Sequence, residues 1–428
     1  MTHPLLLFTL VACALPDAPL AAENWNAWRG PRGDGTSREA HAPVRWSATE
    51  NVAWKVPVPG DGHASPIIWD DRVFLVTCLP DRQERMLLGV DAATGRTLWQ
   101  QSVVRSPLET KHQLNSHASS TPATDGELVY VAFLEVDGRT QTARNVSEPR
   151  PVTPGQVVVA AYDFEGHRRW VARPGEFVSV HGFCSCPLLF EDLVIINGDH
   201  DGDSYLAALD RGTGRTVWKV PRENQTRSYV TPIIREFGGR TQMILSGDRT
   251  VASYDPRTGG RHWIMDGPTE QFVASPVDNG ELVFLTAGFP DKHLLAIRPD
   301  GRGRIGDEHI AWREREGASY VPSPIACGDY FLVTSDNGIA SCFVAKTGER
   351  VWRERLGRHY SASPVTAGGL VYFLDDDGVT KVVRPGREFE LVAENHLGEA
   401  CSASPAVSGG SVYIRTERHL YRIGFSEP

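Results

Sequence analysis

Long apolar runs, clustered cysteines and an excess of positive charge are all missing from this chain of 428 residues. No stretch reaches the ~18 consecutive apolar residues that a membrane-spanning helix needs, so no transmembrane segment is expected. A formal charge of -9 provides no basic face, and no nucleic-acid partner is expected. Seven cysteines are too few to staple so long a chain, and their spacing matches no C-x2-C zinc pattern. The motifs G-x-S-x-G, H-E-x-x-H and the P-loop are also absent, which leaves hydrolysis and phosphoryl transfer without support.

The N-terminus reads as an export leader. LLLFTLVACAL is a short apolar segment, and PLAAEN supplies small residues for cleavage after Ala22, giving residues 1–22 as a signal peptide. MTH lacks the Lys or Arg usual before the apolar part. LVAC, ending at Cys13, is also similar to a bacterial lipobox, so lipid anchoring at Cys13 is the alternative to a fully soluble exported form. A buried first helix is the bland alternative, and the following PDAP weighs against it. The expectation is a periplasmic or extracellular protein, a monomer, with Cys78, Cys184, Cys186, Cys327, Cys342 and Cys401 in an oxidising setting.

What the chain does have is repetition. A small residue followed by proline opens an apolar run at Ser65-Pro66, Thr121-Pro122, Cys186-Pro187 and Thr231-Pro232. The series continues at Ser275-Pro276, Ser323-Pro324, Ser363-Pro364 and Ser404-Pro405. From the third anchor on, the prolines recur about every 40 to 48 residues, the length of a four-stranded propeller blade. Each unit then gives a short strand, a turn such as Asp125-Gly126, and a strand rich in Val, Tyr, Phe and Ile. A third strand runs into an Asp- or Gly-bearing turn and a tryptophan, as in ALDRGTGRTVW. Trp99, Trp170, Trp218, Trp263 and Trp352 each stand four residues after the turn glycine, a period that predicts packing between blades.

The last unit lacks an outer strand, while NVAWKVPVP near the start supplies one. The predicted fold is therefore all-β: an eight-bladed β-propeller of four-stranded antiparallel blades over residues 51–428. Pairing of its N- and C-terminal strands, with Trp54 beside residues 411–424, closes the ring. Residues 23–50 form an N-terminal extension. The link at 101–117 and the polar insertion at 134–156 break the spacing; each is a specificity element or an unstructured insertion.

The motif at residues 208–218 resembles the tryptophan-docking repeat of quinoprotein-type propellers, which include pyrroloquinoline quinone (PQQ) dehydrogenases and the BamB-type outer-membrane assembly lipoprotein. WNAWRGPRGDGTS (25–37), NSHASSTPATDG (115–126) and HGFCSCPLLFEDLVIINGD (181–199) are similar to secreted PQQ-like repeat proteins of planctomycete-type bacteria. The resemblance covers nearly the whole mature chain and implies the propeller fold. PQQ dehydrogenases hold the quinone between a tryptophan and a ring of two adjacent cysteines, with Glu, Asn and Asp around calcium and a further Asp as base. This chain has no adjacent cysteine pair and no alignable Glu/Asn/Asp trio, so the resemblance does not carry catalysis across.

Loops entering the inner strands and the hairpins between second and third strands share one face of a propeller. The candidate binding residues at the channel mouth are His63, His117, His181, Cys184, Tyr229, Tyr320, His359 and Tyr360. Asp199, Asp201 and Asp203 in NGDHDGD are a weak calcium candidate, set against the plain turn chemistry of Asp and Gly. The histidines are possible transition-metal ligands, although scattered loop histidines usually ligate nothing. Tyr229, Phe272, Tyr320 and Tyr360 precede the anchors and are expected to line or plug the channel.

Cys186 occupies a slot held elsewhere by Ser or Thr, which predicts a small buried side chain, with Cys184 the accessible thiol of the two. The sequence favours an exported, non-catalytic propeller binding a protein, peptide or cell-envelope ligand through its loop face. The alternatives are a quinoprotein oxidoreductase using PQQ with calcium at a divergent site and a BamB-like assembly component.

Overall fold

Second strands such as Arg72–Leu79 and Leu193–Gly198 are buried along nearly their full length, because both faces of a blade press on neighbouring blades. Outermost strands behave differently: in Thr216–Pro221 Trp218 is buried while most of its neighbours face solvent. This difference in burial explains the sequence grammar of apolar middle strands followed by a polar strand with a single large ring.

The structure, a computed structural model, describes residues 22–424. Cys13 and the leader before Ala22 lie outside the described residues. Eight antiparallel blades follow in chain order around a central channel. Blade 1 comprises Ile67–Trp69, Arg72–Leu79, Glu84–Asp91 and Thr97–Arg105, from the channel outwards. Blades 2 to 7 begin at Ala123, Leu188, Ile233, Val277, Ile325 and Val365. Blade 8 takes Ala406–Ser408, Ser411–Arg415 and His419–Ile423 from the C-terminal end and borrows Val52–Pro57 as its outermost strand. Trp54 lies opposite Arg422 in that pairing, so the ring closes between the two ends as the repeat predicts. No helix among the described residues is long and apolar enough to cross a membrane.

The tryptophans lock successive blades. The indole N–H donates to a carbonyl of the next blade in each of these pairs: Trp54 to Ala92, Trp99 to Phe164, Trp170 to Arg211, Trp218 to Pro256 and Trp352 to Gly386. In the first four pairs the ring also rests on the turn glycine of that next blade, Gly95, Gly166, Gly214 and Gly259. A Cβ on Gly214 would lie 2.5 Å from the Trp170 ring, and one on Gly259 would lie 2.9 Å from Trp218. Both glycines also adopt positive φ, +73° and +71°, so no other residue suits the turn and the ring seat together. Trp312 plays the same part in blade 5, donating to Ala345. Its spacing is hidden in the sequence, because the strand Gly303–Arg304 and a short 3-10 turn at Asp307–His309 intervene before it. Trp263 departs from the pattern and donates to Gln242 of its own blade.

The N-terminal extension is a plug. Trp25 bridges Ile68 of blade 1, and the Asn26 carbonyl accepts the Thr124 N–H of blade 2. Asp34 pairs with Arg235 of blade 4 at 3.0 Å, and the Arg29 guanidinium donates to the Pro324 carbonyl of blade 6 at 2.6 Å. Thr36 bridges Thr366 of blade 7, and the Glu23 carbonyl accepts the Ser408 hydroxyl of blade 8. These contacts lie at the far ends of the innermost strands, so residues 23–37 fill the channel from the side opposite the entering loops. Further along, Trp46 stacks on Tyr372 of blade 7 with ring centroids 6.3 Å apart.

Candidate functional site

The floor of the loop face is set by the anchors themselves. Proline keeps the residue before it extended and contributes no N–H of its own. The preceding small residue then donates its backbone N–H to the side chain of the next anchor around the ring. Ser65 donates to Thr121 at 3.0 Å, Thr231 to Ser275 at 3.2 Å, and Ser275 to Ser323 at 2.9 Å. Ser323 donates to Ser363, and Ser363 to Ser404, each at 2.9 Å. At blade 3 a thiol stands in the belt: the Thr121 N–H donates to Cys186 Sγ at 3.2 Å. Burial pushes the Cys186 thiol up to about 11, so it serves as a neutral acceptor.

Above this belt the loop face opens into a cavity of about 1140 Å³. Trp28 of the plug forms part of its floor, its indole N–H donating to Ser275 Oγ at 3.3 Å, so the cavity is blind. Residues of the link at 101–117 and the tip of the insertion at 134–156, including His112, Leu114, Asn115 and 145–150, wall one side. The insertion carries a small hairpin, Gln141–Thr142 against Pro151–Val152. Its tip is held where Asn145 donates to the Gln225 carbonyl and accepts from Arg227 through its own carbonyl. Leu114 and Phe289 stand at the rim as exposed apolar side chains.

His63, His181, Cys184, Tyr229, Tyr320 and His359 all line this cavity. Burial, with Arg415 adding repulsion, depresses His63 to about 4; burial and the nearby Arg227 depress His181 to about 3. Both imidazoles are neutral at pH 7. Tyr229 hydrogen-bonds Ser179 at 2.7 Å, and the Tyr320 hydroxyl donates to Gln271 at 3.0 Å. Asp336 receives the Tyr320 and Val321 backbone N–H groups, which fixes that loop. His359 is oriented by Asp376 through its Nδ1. Cys184 and Cys186 are free thiols, and burial raises Cys184 well above the ordinary thiol range.

Other expected site residues lie elsewhere. His117 points away from the cavity, its Nε2 against the Glu109 carbonyl at 3.1 Å. Tyr360 is 1% exposed and packs in the core between blades 6 and 7. Phe272 is likewise buried in core. The calcium candidate is corrected by its partners. Asp199 is fully buried against Arg222 at 2.7 Å and Ser228 at 2.6 Å, and Asp201 pairs with Arg227 at 2.9 Å. Asp203 faces Gln225 at 3.3 Å. Two of the three carboxylates are thus already neutralised by arginine, and the set does not converge on one point.

Sequence reasoning missed Trp28 and Arg227, while it reads the insertion at 134–156 as a specificity element or an unstructured insertion. The one available signal was position: Arg227 stands two residues before Tyr229, on the same entering loop. The dehydrogenase resemblance implies a quinone on paired cysteines with carboxylate and amide ligands around calcium. Cys184 and Cys186 are separated by a residue, and among the described residues no three of His, Cys, Asp and Glu are grouped to hold a metal ion. Glu270 faces Arg249 at 3.5 Å, and Asp336 is occupied by backbone donors. These residues do not fit a calcium–quinone pair.

The family model described as outer membrane protein assembly factor BamB matches residues 41–160, 138–288 and 306–385. No curated protein matches the chain by sequence. Among solved structures, BamB from Moraxella catarrhalis is 14% identical with a TM-score of 0.57, over 87% of this chain and 99% of that one. A europium-containing methanol dehydrogenase is 14% identical with a TM-score of 0.58, over 92% and 89%. The computationally designed Ika8 protein is 12% identical with a TM-score of 0.57, over 86% and 98%. At such identities the likeness shows the fold alone, and the same ring serves proteins of quite different kinds.

Proposed function

The chain belongs to the PQQ-like propeller family whose model is described as outer membrane protein assembly factor BamB, and from that premise we propose that it is an exported, non-catalytic binding module for a protein, peptide or cell-envelope ligand. The observation that carries this reading is the blind cavity on the loop face. It is large enough for a ligand segment, is rimmed by exposed Leu114 and Phe289, and is lined by neutral imidazoles and tyrosines. The His359–Asp376 pair on its wall fixes the orientation of one imidazole.

The test sets binding against turnover. Calorimetric titration of the purified protein with defined peptide and glycan panels is expected to give saturable binding that Tyr320→Ala weakens and the outer-strand change Val217→Ala leaves unchanged. Reconstitution with PQQ and calcium is expected to give no dye reduction over alcohols and sugars; sustained quinone-dependent turnover would overturn the reading in favour of an oxidoreductase. The family description favours one narrower version, an assembly component contacting β-strands of partner proteins. Stable co-purification with outer-membrane assembly machinery is the outcome that version requires.

A further inference from the structure

The anchor belt has a chemical remainder. Each hydroxyl of Ser275, Ser323, Ser363 and Ser404 is used as an acceptor by a neighbouring N–H. Among the described residues none of these four hydroxyls donates its own proton to a protein acceptor, although all four line the cavity floor. A hydroxyl that accepts a hydrogen bond is polarised and becomes a better donor. The floor is therefore an arc of strengthened O–H donors around Trp28.

An independent observation lies just beneath it. Arg29, 2% exposed, bonds the carbonyls of Asp34 and Pro324 through Nη2 alone, and its Nε and Nη1 have no partner. Pro324 is the residue after belt member Ser323, so this cation sits directly under the arc. The nearest carboxylate, Asp34, is committed to Arg235 and Thr36. Arg227 on the wall is already paired with Asp201 at 2.9 Å, which leaves Arg29 as the cation the arc overlies. Of the acidic groups lining the cavity, Glu270 faces Arg249 and Asp336 accepts backbone N–H groups, while Glu148 stands on the insertion tip with no ion-pair partner among the described residues.

Convergent O–H donors over an under-compensated cation describe a receptor for an oxyanion. The walls add a second requirement. The rings of His63 and His181 have no hydrogen-bond partner among the described residues, and a neutral imidazole offers one donor and one acceptor. That pair matches a ligand hydroxyl, which is itself both, while Trp28, Tyr229 and Tyr320 supply flat apolar faces for a ring.

We propose that the cavity takes a sugar acid, free or at the end of an acidic glycan, with its carboxylate on the Ser275–Ser323–Ser363–Ser404 arc above Arg29 and its hydroxyls toward His63 and His181. This rests on the binding-module reading and names its ligand class. The natural Cys186 supplies the test, because sulfur at a belt position still accepts the inter-blade N–H while being a poor donor. Ser323→Cys and Ser363→Cys should therefore keep the fold and lose the anion site.

Calorimetry with galacturonate oligomers, matched neutral galactose oligomers and inorganic sulfate reads the outcome. The uronate is expected to bind saturably and at least ~tenfold more tightly than the neutral oligomer, with Ser323→Cys/Ser363→Cys erasing the difference at an unchanged melting temperature. Equal affinity for acidic and neutral oligomers, no uronate binding, or full retention by the double variant overturns the proposal. So does sulfate binding alone, the mark of an adventitious ion only. Saturable binding of a peptide without uronate binding sinks this inference and leaves the binding module standing. PQQ-dependent turnover removes the binding module itself.

Discussion

Cys186 shows how one slot in a repeat can be filled by different chemistry. Its sulfur accepts the Thr121 N–H where the other belt contacts use hydroxyls, and it reaches the cavity floor with only 5% of its surface exposed. Cys184 lines the cavity, yet burial holds its thiol far above the usual range, so access does not bring a thiolate. Maleimide labelling of the native protein at pH 7 followed by mass spectrometry is expected to leave both unmodified, because burial keeps each thiol protonated. Fast labelling of Cys186 would contradict the belt. His200 offers a pH test at the same scale. It is 3% exposed and depressed to about 4 by burial, against 6.5 when unfolded. Between those values the unfolded chain binds more protons, so stability is full above pH 6.5 and falls as pH drops toward 4. His200→Gln is expected to shrink the loss of unfolding free energy between pH 7 and pH 5 by on the order of 1–2 kcal/mol, read from urea titrations at the two pH values.

At the scale of the element, the unit of cohesion is a tryptophan on one blade seated on a glycine of the next. The ring fills the step between two twisted sheets and spends its N–H on a carbonyl that no strand partner reaches. Trp218 has the seat Gly259 and the acceptor Pro256, and it is 9% exposed. Trp218→Ala is expected to cost about 3–5 kcal/mol of unfolding free energy. Gly259→Ala is expected to be comparably damaging despite its single methyl, because its positive φ and the Trp218 ring both oppose a side chain. Chemical denaturation of the two variants checks this; a near-neutral Gly259→Ala would remove the seat from the account.

The whole molecule depends on two segments from the start of the chain. Val52–Pro57 completes blade 8, and residues 23–37 plug the channel and make the cavity blind. Without the strand, blade 8 ends at His419–Ile423, an apolar third strand left as an edge where every other blade ends in a polar fourth strand. A chain truncated before residue 58 is expected to self-associate with rising concentration more strongly than one truncated before residue 48, which keeps the closing strand, measurable by light scattering. Equal behaviour of the two would argue that closure is not what keeps the ring soluble.

Fold was legible because it repeats. Proline anchors, turn glycines and tryptophans recur at a nearly fixed distance, and a four-stranded blade buries its faces only against copies of itself, so period, blade number and closure by Trp54 could be read directly. Trp312 escaped that reading because an inserted strand displaced it from the period, not because its role differs. The site was only partly legible. Of the residues named for their position before an anchor, His63, His181, Cys184, Tyr229, Tyr320 and His359 line the cavity, whereas His117 and Tyr360 turn away. Nor could position show that Asp199 and Asp201 would be claimed by Arg222 and Arg227, or that Trp28 would travel through the channel to Ser275. Local sequence determined which residues sit on which loop, because strand period and turn chemistry act over a few residues. Only the closed ring decided which of them face one another, since partners hundreds of residues apart meet when the chain's two ends do.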